Sequence, residues 1–241
     1  MRDFIFIHGG RQGSWVWDDV VAALRERGEV RTLALDVPGC GTKRERDVAG
    51  LSIPQVLDDL AGDIDRAGVQ GATLVGHSQA GTLMPSLCKM RRGAIGQAAY
   101  VACCAPATGQ TVAEMMGTGL HGQSPTEVGW PVPREAVMSD ALFKAMFCND
   151  MDAATMEAFW RQLGRDDWPM ACAAEYRDWP YDAHPATPAT YIAALQDASL
   201  PLEWQLRFAD RLGASRTVRI DAGHQVMQTK PAELAEALLA L

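Results

Sequence analysis

Leu74-Val75-Gly76-His77-Ser78-Gln79-Ala80-Gly81 is the stretch on which the fold turns. An apolar run leads into a serine flanked by small residues, and helix-forming residues follow. A serine at a strand-to-helix turn needs such neighbours, because the turn is tight and holds the serine backbone in a strained conformation. Gly76 and Ala80 occupy the two positions that approach each other. Ala80 departs from a strict Gly-x-Ser-x-Gly, although Gly81 follows it. As a bare pentapeptide the match is weak, and an inconsequential surface turn is the plainer alternative. The strand before it and the helix expected after it favour a nucleophile whose Oγ projects beyond the strand ends. The amino end of that helix would face any developing oxyanion.

Outward from this turn, short apolar runs alternate with amphipathic stretches, the pattern of a parallel sheet with crossover helices. Strands are expected at 4–7, 30–35, 73–75, 98–102, 189–193 and 217–220. Helices are expected at 16–27, after Ser52, at 80–90, at about 202–212 and at 231–239. Ser52 and Gln55 have capping-box spacing, and Pro231 is placed to start the last helix. From Pro106 to about Pro185 the rhythm changes to Met, Trp and Phe at helical spacing without a clear strand. The expected organisation is an α/β core at 1–105 and 186–241, with about six mostly parallel strands flanked by helices, and a helical cap at 106–185.

A length of 241 residues suits one such domain, and 48% hydrophobic with 22% charged residues is ordinary for a soluble one. A net charge of −8 argues against a nucleic-acid partner. The basic cluster Lys43-Arg44-Glu45-Arg46 is better explained as a solvated loop. Cys40, Cys88, Cys103, Cys104, Cys148 and Cys172 lack metal-ligand spacing and are expected as buried thiols in a reducing compartment. No apolar stretch approaches the roughly 20 residues that span a bilayer, and no signal-peptide pattern opens the chain. The expectations are therefore a cytoplasmic location, no membrane partner, no metal and no cofactor, with monomer and homodimer both compatible.

A nucleophilic serine needs oxyanion donors, a base and an acid. One donor is expected from the Gln79 amide and the other from Gly10, in His8-Gly9-Gly10-Arg11 after the first strand. The two glycines are equally compatible with a plain tight turn. Five histidines compete for the base. His8 belongs to the glycine loop, His77 lies inside the elbow, and His121 and His184 lie in or beside the insertion. His224, in Asp221-Ala222-Gly223-His224 just past the last strand, completes the order Ser, Asp, His. The acid is expected at Asp197, after the penultimate strand, where it would hold the His224 tautomer. Asp210 falls within a helix, and Asp221 is too close to His224 along the chain.

With these residues in place, the chain resembles the plant methyl-esterase and hydroxynitrile-lyase branch of the α/β-hydrolases, together with its bacterial relatives. Phe6-Ile7-His8-Gly9-Gly10 with Gly13-Ser14-Trp15-Val16-Trp17 and Gly76-His77-Ser78-Gln79-Ala80-Gly81 carry the resemblance. So do Tyr191-Ile192 with Asp197, and Gly223-His224 with Gln228-Thr229-Lys230-Pro231. It implies an α/β-hydrolase fold with a cap over the site, a triad at Ser78, His224 and Asp197, and oxyanion amides at Gly10 and Gln79. Cyanohydrin-cleaving members carry a lysine directly after the histidine, where this chain has Gln225. They also carry a threonine where it has Gly9. Both positions look esterase-like.

The expected activity is cleavage of a carboxylic ester, with a methyl or other small alcohol or as a lactone, of a hydrophobic small molecule. The alternatives are lyase or cofactor-free oxygenase chemistry with the triad as base, and a hydrolase-like ligand receptor with little turnover. Gly9, Trp15, Trp17, Met116, Phe147, Phe159 and Trp160 are the substrate-contact candidates. Plain packing between cap and core is an equal alternative for each aromatic or methionine taken singly.

Overall fold

The structure is a computed structural model. It describes residues 1–117, 122, 124–130, 135–137, 139–163, 165–181 and 187–241. Six strands form one parallel sheet: β1 (Arg2–Ile7), β2 (Val30–Leu35), β3 (Ala72–His77), β4 (Ile95–Val101), β5 (Ala189–Ala194) and β6 (Arg216–Ile220). Their order across the sheet is β2-β1-β3-β4-β5-β6. The central strands read as continuous apolar runs because both faces are covered. Ile5, Ile7, Leu74, Tyr191 and Ala193 point into one core layer, and Phe4, Phe6, Val75, Ile192 and Ala194 into the other.

Strand order decides which face each helix covers. Between β1 and β2 the chain steps toward one edge through α1 (Asp18–Arg27). Between β2 and β3 it doubles back across β1 through α2 (Ile53–Ala67). Right-handed crossovers in opposite directions put these helices on opposite faces. Val20 and Leu24 of α1 accordingly share a layer with Leu234 and Leu238 of the C-terminal helix at Pro231–Leu239. Leu57 and Leu60 of α2 share the other with Leu87 of α3 (Met84–Met90). α2 starts at Ser52 as its spacing implies, with the Ser52 N–H donating to Gln55 Oε1 at 2.9 Å.

The reversal of direction places the ends of β1 and β3 side by side, Ile7 pairing with Gly76. In open α/β sheets ligands bind in the crevice beyond such a switch point. Residues 8–10 and Ser78 both leave the sheet there.

Between β4 and β5 the described residues form α4 (Val112–Met116), α5 (Asp140–Phe147), α6 (Ala153–Leu163) and α7 (Ala171–Ala174). The 185/186 boundary expected for this insertion lies outside the described residues. Asp166, following α6, anchors the insertion to the core. Its buried carboxylate accepts from the Gly41 amide at 2.8 Å, Arg44 Nη2 at 2.8 Å and Trp15 Nε1 at 3.2 Å. After β5 come α8 (Leu202–Arg211), then β6, the short α9 (Val226–Thr229) and α10 (Pro231–Leu239).

Two expected elements differ in detail. The helix expected from residue 80 begins at Met84, because Ser78–Thr82 forms a 3₁₀ turn first. The helix expected from residue 16 likewise opens with a 3₁₀ turn, Ser14–Trp17. All six cysteines are buried free thiols. Among the described residues no helix is long and apolar enough to cross a membrane.

Candidate active site

Ser78 is held at φ +52°, in the left-handed region that L side chains rarely adopt. For a non-glycine residue this costs about 1–3 kcal/mol and persists only where the surroundings impose it. Here β3 imposes it from before, the 3₁₀ turn from after, and the Cys104 amide by donating to the Ser78 carbonyl at 3.0 Å. The strain throws the side chain off the end of the sheet. The later start of α3 means that the amides nearest Ser78 belong to the 3₁₀ turn, which corrects the expectation of an α-helical amino end at the serine.

His224 comes from a strand three places away from β3, a lateral distance of roughly 14 Å at about 4.8 Å per strand. Asp221, Ala222 and Gly223 supply the chain that leans back over the sheet edge. His224 Nε2 lies 3.0 Å from Ser78 Oγ and Nδ1 lies 2.7 Å from Asp197 Oδ2. With Nδ1–H donating to the carboxylate, the Nε2 lone pair faces the serine hydroxyl. The other oxygen of Asp197 accepts from the Ser199 amide at 2.8 Å, Ser199 Oγ at 2.9 Å and the Leu200 amide at 2.8 Å. This carboxylate is buried and has hydrogen-bond partners on both oxygens. His8 and His77 are buried and bonded elsewhere, and His121 and His184 lie outside the described residues.

Gly10 and Gln79 meet at the cavity wall. Both residues line the larger cavity beside Ser78, and a Cβ on Gly10 would strike the Gln79 side chain at Oε1. Gly9, expected as a substrate contact, is not among the residues lining either cavity beside Ser78. A side chain there would fall 3.1 Å from Ser78 Cβ and 2.8 Å from His77 Nδ1. Its amide donates to Gln12 Oε1 at 3.1 Å, and Gln12 Nε2 donates to Gln225 Oε1 at 2.9 Å.

Two cavities meet at Ser78 and His224. The larger, about 320 Å³, runs under Val112 and Met116 of α4, with Trp130 and Leu200 on its wall. The smaller, about 40 Å³, lies toward Gln12, Leu163 and Gln225. Phe143 and Phe147 of α5 border both, stacked at 4.1 Å, with Phe147 edge-on to the His224 ring at 5.3 Å. Met116 lines the larger cavity and Phe147 lines both.

Trp15, Trp17, Phe159 and Trp160 line neither cavity. Trp17 is fully buried against Phe6, and Trp15 packs on Phe159 while bonding Asp166. Trp160 sits behind Phe143 with the Lys144 ammonium over its ring. Position marked Trp15 and Trp17, which sit in the 3₁₀ turn after β1, and composition marked Phe159 and Trp160, whose helix phase on α6 turns them away from both cavities. Arg11, Trp130, Phe143, Ser199 and Leu200 were not singled out as site residues. Two signals were available: Phe143 stands four residues before Phe147 on one helix, and Ser199 stands at Asx-turn spacing from Asp197. Among the described residues no group of three or more His, Cys, Asp or Glu side chains is placed to hold a metal ion.

Serine, imidazole and carboxylate in hydrogen-bonded sequence, on the loops after β3, β6 and β5 of a parallel sheet, can be compared with known proteins. The sequence pattern of the alpha/beta hydrolase family matches residues 4–237. The chain belongs to the alpha/beta hydrolase family. Among similar members, a carbendazim-hydrolyzing esterase from Nocardioides sp. is 25% identical over all of both chains. The probable esterase PIR7A of Oryza sativa subsp. indica is 28% identical over 99% of this chain and 95% of its own. In structure, an extracellular α/β-hydrolase from a Paenibacillus species superposes with a TM-score of 0.79 at 19% identity, covering 100% of this chain and 98% of the other. Polyneuridine aldehyde esterase superposes with a TM-score of 0.76 at 20% identity, covering 100% and 98%. This alpha/beta hydrolase thus stands among the esterase-type members of its family.

Proposed function

We propose that the chain is a serine esterase in which Ser78 attacks the carbonyl carbon of a carboxylic ester. His224 takes the hydroxyl proton through Nε2 and returns it to the departing alkoxide. Asp197 holds the Nδ1–H tautomer and stabilises the imidazolium that forms. The Gly10 and Gln79 amides receive the oxyanion, a contribution of about 3–4 kcal/mol per donor. Water, activated by His224, then releases the acid from the acyl-serine.

The observation that carries this reading is the unbroken relay from Asp197 through His224 to a Ser78 held at φ +52°. The unequal cavities support an ester with one apolar and one small side, because about 40 Å³ admits only about three water-sized groups. A methyl or other small-alcohol ester, or a lactone, fits that shape. The names of relatives support it too, among them a methylesterase from Arabidopsis thaliana. In place of the lysine of cyanohydrin-cleaving relatives stands Gln225, whose side chain is tied to Gln12. The described helices α4 and α5 of the insertion serve as a cap over this site, the enzyme needs no cofactor, and its location is the cytoplasm.

The test is a burst of p-nitrophenol from p-nitrophenyl acetate. Ser78→Ala is expected to abolish the burst and lower kcat by at least about 10³-fold, the scale seen when one member of a triad is removed. Unchanged turnover in that variant would overturn the proposal.

A further inference from the structure

Arg11 is the one formally charged residue among the described residues lining either cavity at Ser78, in a protein whose net charge is −8. Arg11 is exposed, and among the described residues no carboxylate holds its guanidinium, which leaves it free to meet an anionic ligand. Its backbone is also out of the ordinary, with φ at +58°. Glycine adopts that region at no steric cost, and an arginine does not. The residue beside Gly10 therefore keeps a long cationic side chain where the backbone alone favours none.

A second donor points the same way. Trp130 lines the larger cavity, and among the described residues its buried indole N–H has no acceptor. A buried polar group left without a partner is costly, and an oxygen-bearing ligand would satisfy it. The rest of that cavity is largely apolar, with Val112, Met116 and Leu200 on its walls.

We propose that Arg11 is a specificity-determining residue, and that the preferred substrate is an ester carrying a free carboxylate beyond an apolar body, as in a half-ester of a dicarboxylic acid. The apolar body fills the larger cavity and the small alcohol the smaller one. The guanidinium forks onto the carboxylate at the mouth, a pairing that lysine does not reproduce. This inference rests on the esterase reading above.

The experiment compares kcat/KM for monomethyl adipate, methyl hexanoate and methyl 6-aminohexanoate, which differ in the charge of the far end, with p-nitrophenyl acetate as control. Wild type is expected to prefer the anionic over the neutral ester by about tenfold, as one charge-assisted contact at a partly solvated mouth allows. In Arg11→Gln the anionic-to-neutral ratio falls toward one, and in Arg11→Glu the cationic ester becomes the best of the three. Arg11→Gly, which relieves the left-handed backbone, melts at or above the wild-type temperature while losing the same preference. A wild-type ratio of one or less, or a ratio unmoved by Arg11→Gln, overturns the proposal. Turnover of the aryl acetate with none of the methyl esters overturns it as well, and leaves ester hydrolysis standing. No turnover of any ester overturns both.

Discussion

Gly76 and Ala80 meet behind the serine. A Cβ on Gly76 would lie 3.0 Å from the Ala80 methyl and would collide with Met84 Sδ. The turn has room for one methyl at this contact, and Ala80 already supplies it. Gly81 is the second constrained position, since a Cβ there would come 2.6 Å from the Cys104 carbonyl oxygen and 2.8 Å from Cys103 Cβ. The alanine in the motif is therefore tolerated because Gly76 and Gly81 stay bare on either side. Gly76→Ala is expected to destabilise by about 1–3 kcal/mol, as overpacking of a rigid contact does, measured as a lowered urea midpoint at constant slope. An unchanged midpoint would show that Met84 moves aside freely. At this scale Ser78, His224 and Asp197 were legible in the sequence, because each sits a fixed few residues past a strand of recognisable composition. Arg11 was not. Its φ and its lack of a counter-charge are properties of the folded loop.

Among the elements, the strands were readable and the insertion was not, for physical reasons. A strand buried on both faces announces itself by apolar content alone, which covers the inner strands β1, β3, β4 and β5. The edge strands β2 and β6 are partly exposed and are marked by short apolar and β-branched runs before turns. Expected and observed strands overlap at all six places. An insertion helix is apolar on one stripe, and whether that stripe meets substrate or core depends on how the helix docks. The turn between α5 and α6 shows what docking adds. Asn149 Nδ2 donates to the Gln196 carbonyl at 2.8 Å, beside the acid loop. Asp150 Oδ2 accepts from the Gly223 amide at 2.7 Å and Thr229 Oγ1 at 2.7 Å, beside the base loop. Two adjacent residues of the insertion thereby fasten the loops that bring Asp197 and His224 together. Glycine at 223 leaves room for this approach, because a Cβ there would meet the side-chain oxygens of Asp150 and Asn149 and push them from their present positions. Asp150→Ala leaves two donors without their partner and is expected to cost about 1–3 kcal/mol. Asp150→Asn keeps an acceptor at the same place and is expected to cost less. Chemical denaturation of the two variants checks the order, and equal loss in both would point to the charge instead of the hydrogen bonds.

Across the whole molecule, acid stability follows from two histidines that fold away from water. His8 donates Nδ1–H to the Gly9 carbonyl at 2.8 Å and accepts the Val37 amide on Nε2 at 3.0 Å, so a second ring proton would break the link between the β1 and β2 loops. Burial holds its pKa below the usual 6.5, although Asp36 and Asp166 act in the opposite direction. Burial, with the neighbouring His224, pushes His77 much further down. In the unfolded chain both titrate near 6.5, so just below that pH the unfolded state binds protons that the folded state refuses. Stability is then whole above about pH 6.5 and falls by about 1.4 kcal/mol per pH unit for each group until its folded pKa is reached. Burial would raise the pKa of Asp36, but hydrogen bonds from Ser14 and Thr42 outweigh it and hold the carboxyl below its usual range. Its contribution is lost only at lower pH, below about 4. Relief of the net charge of −8 also waits for the carboxylates near pH 4. The window between 6.5 and 5 therefore belongs to the histidines. The melting temperature is expected to be level from pH 8 to 7 and to drop by several degrees by pH 5, at about 2–4 °C per kcal/mol for a chain of this size. His8→Asn is expected to start lower and to decline less steeply through that window. A wild-type plateau that extends to pH 4.5 would mean that the buried rings take up protons without loosening the fold.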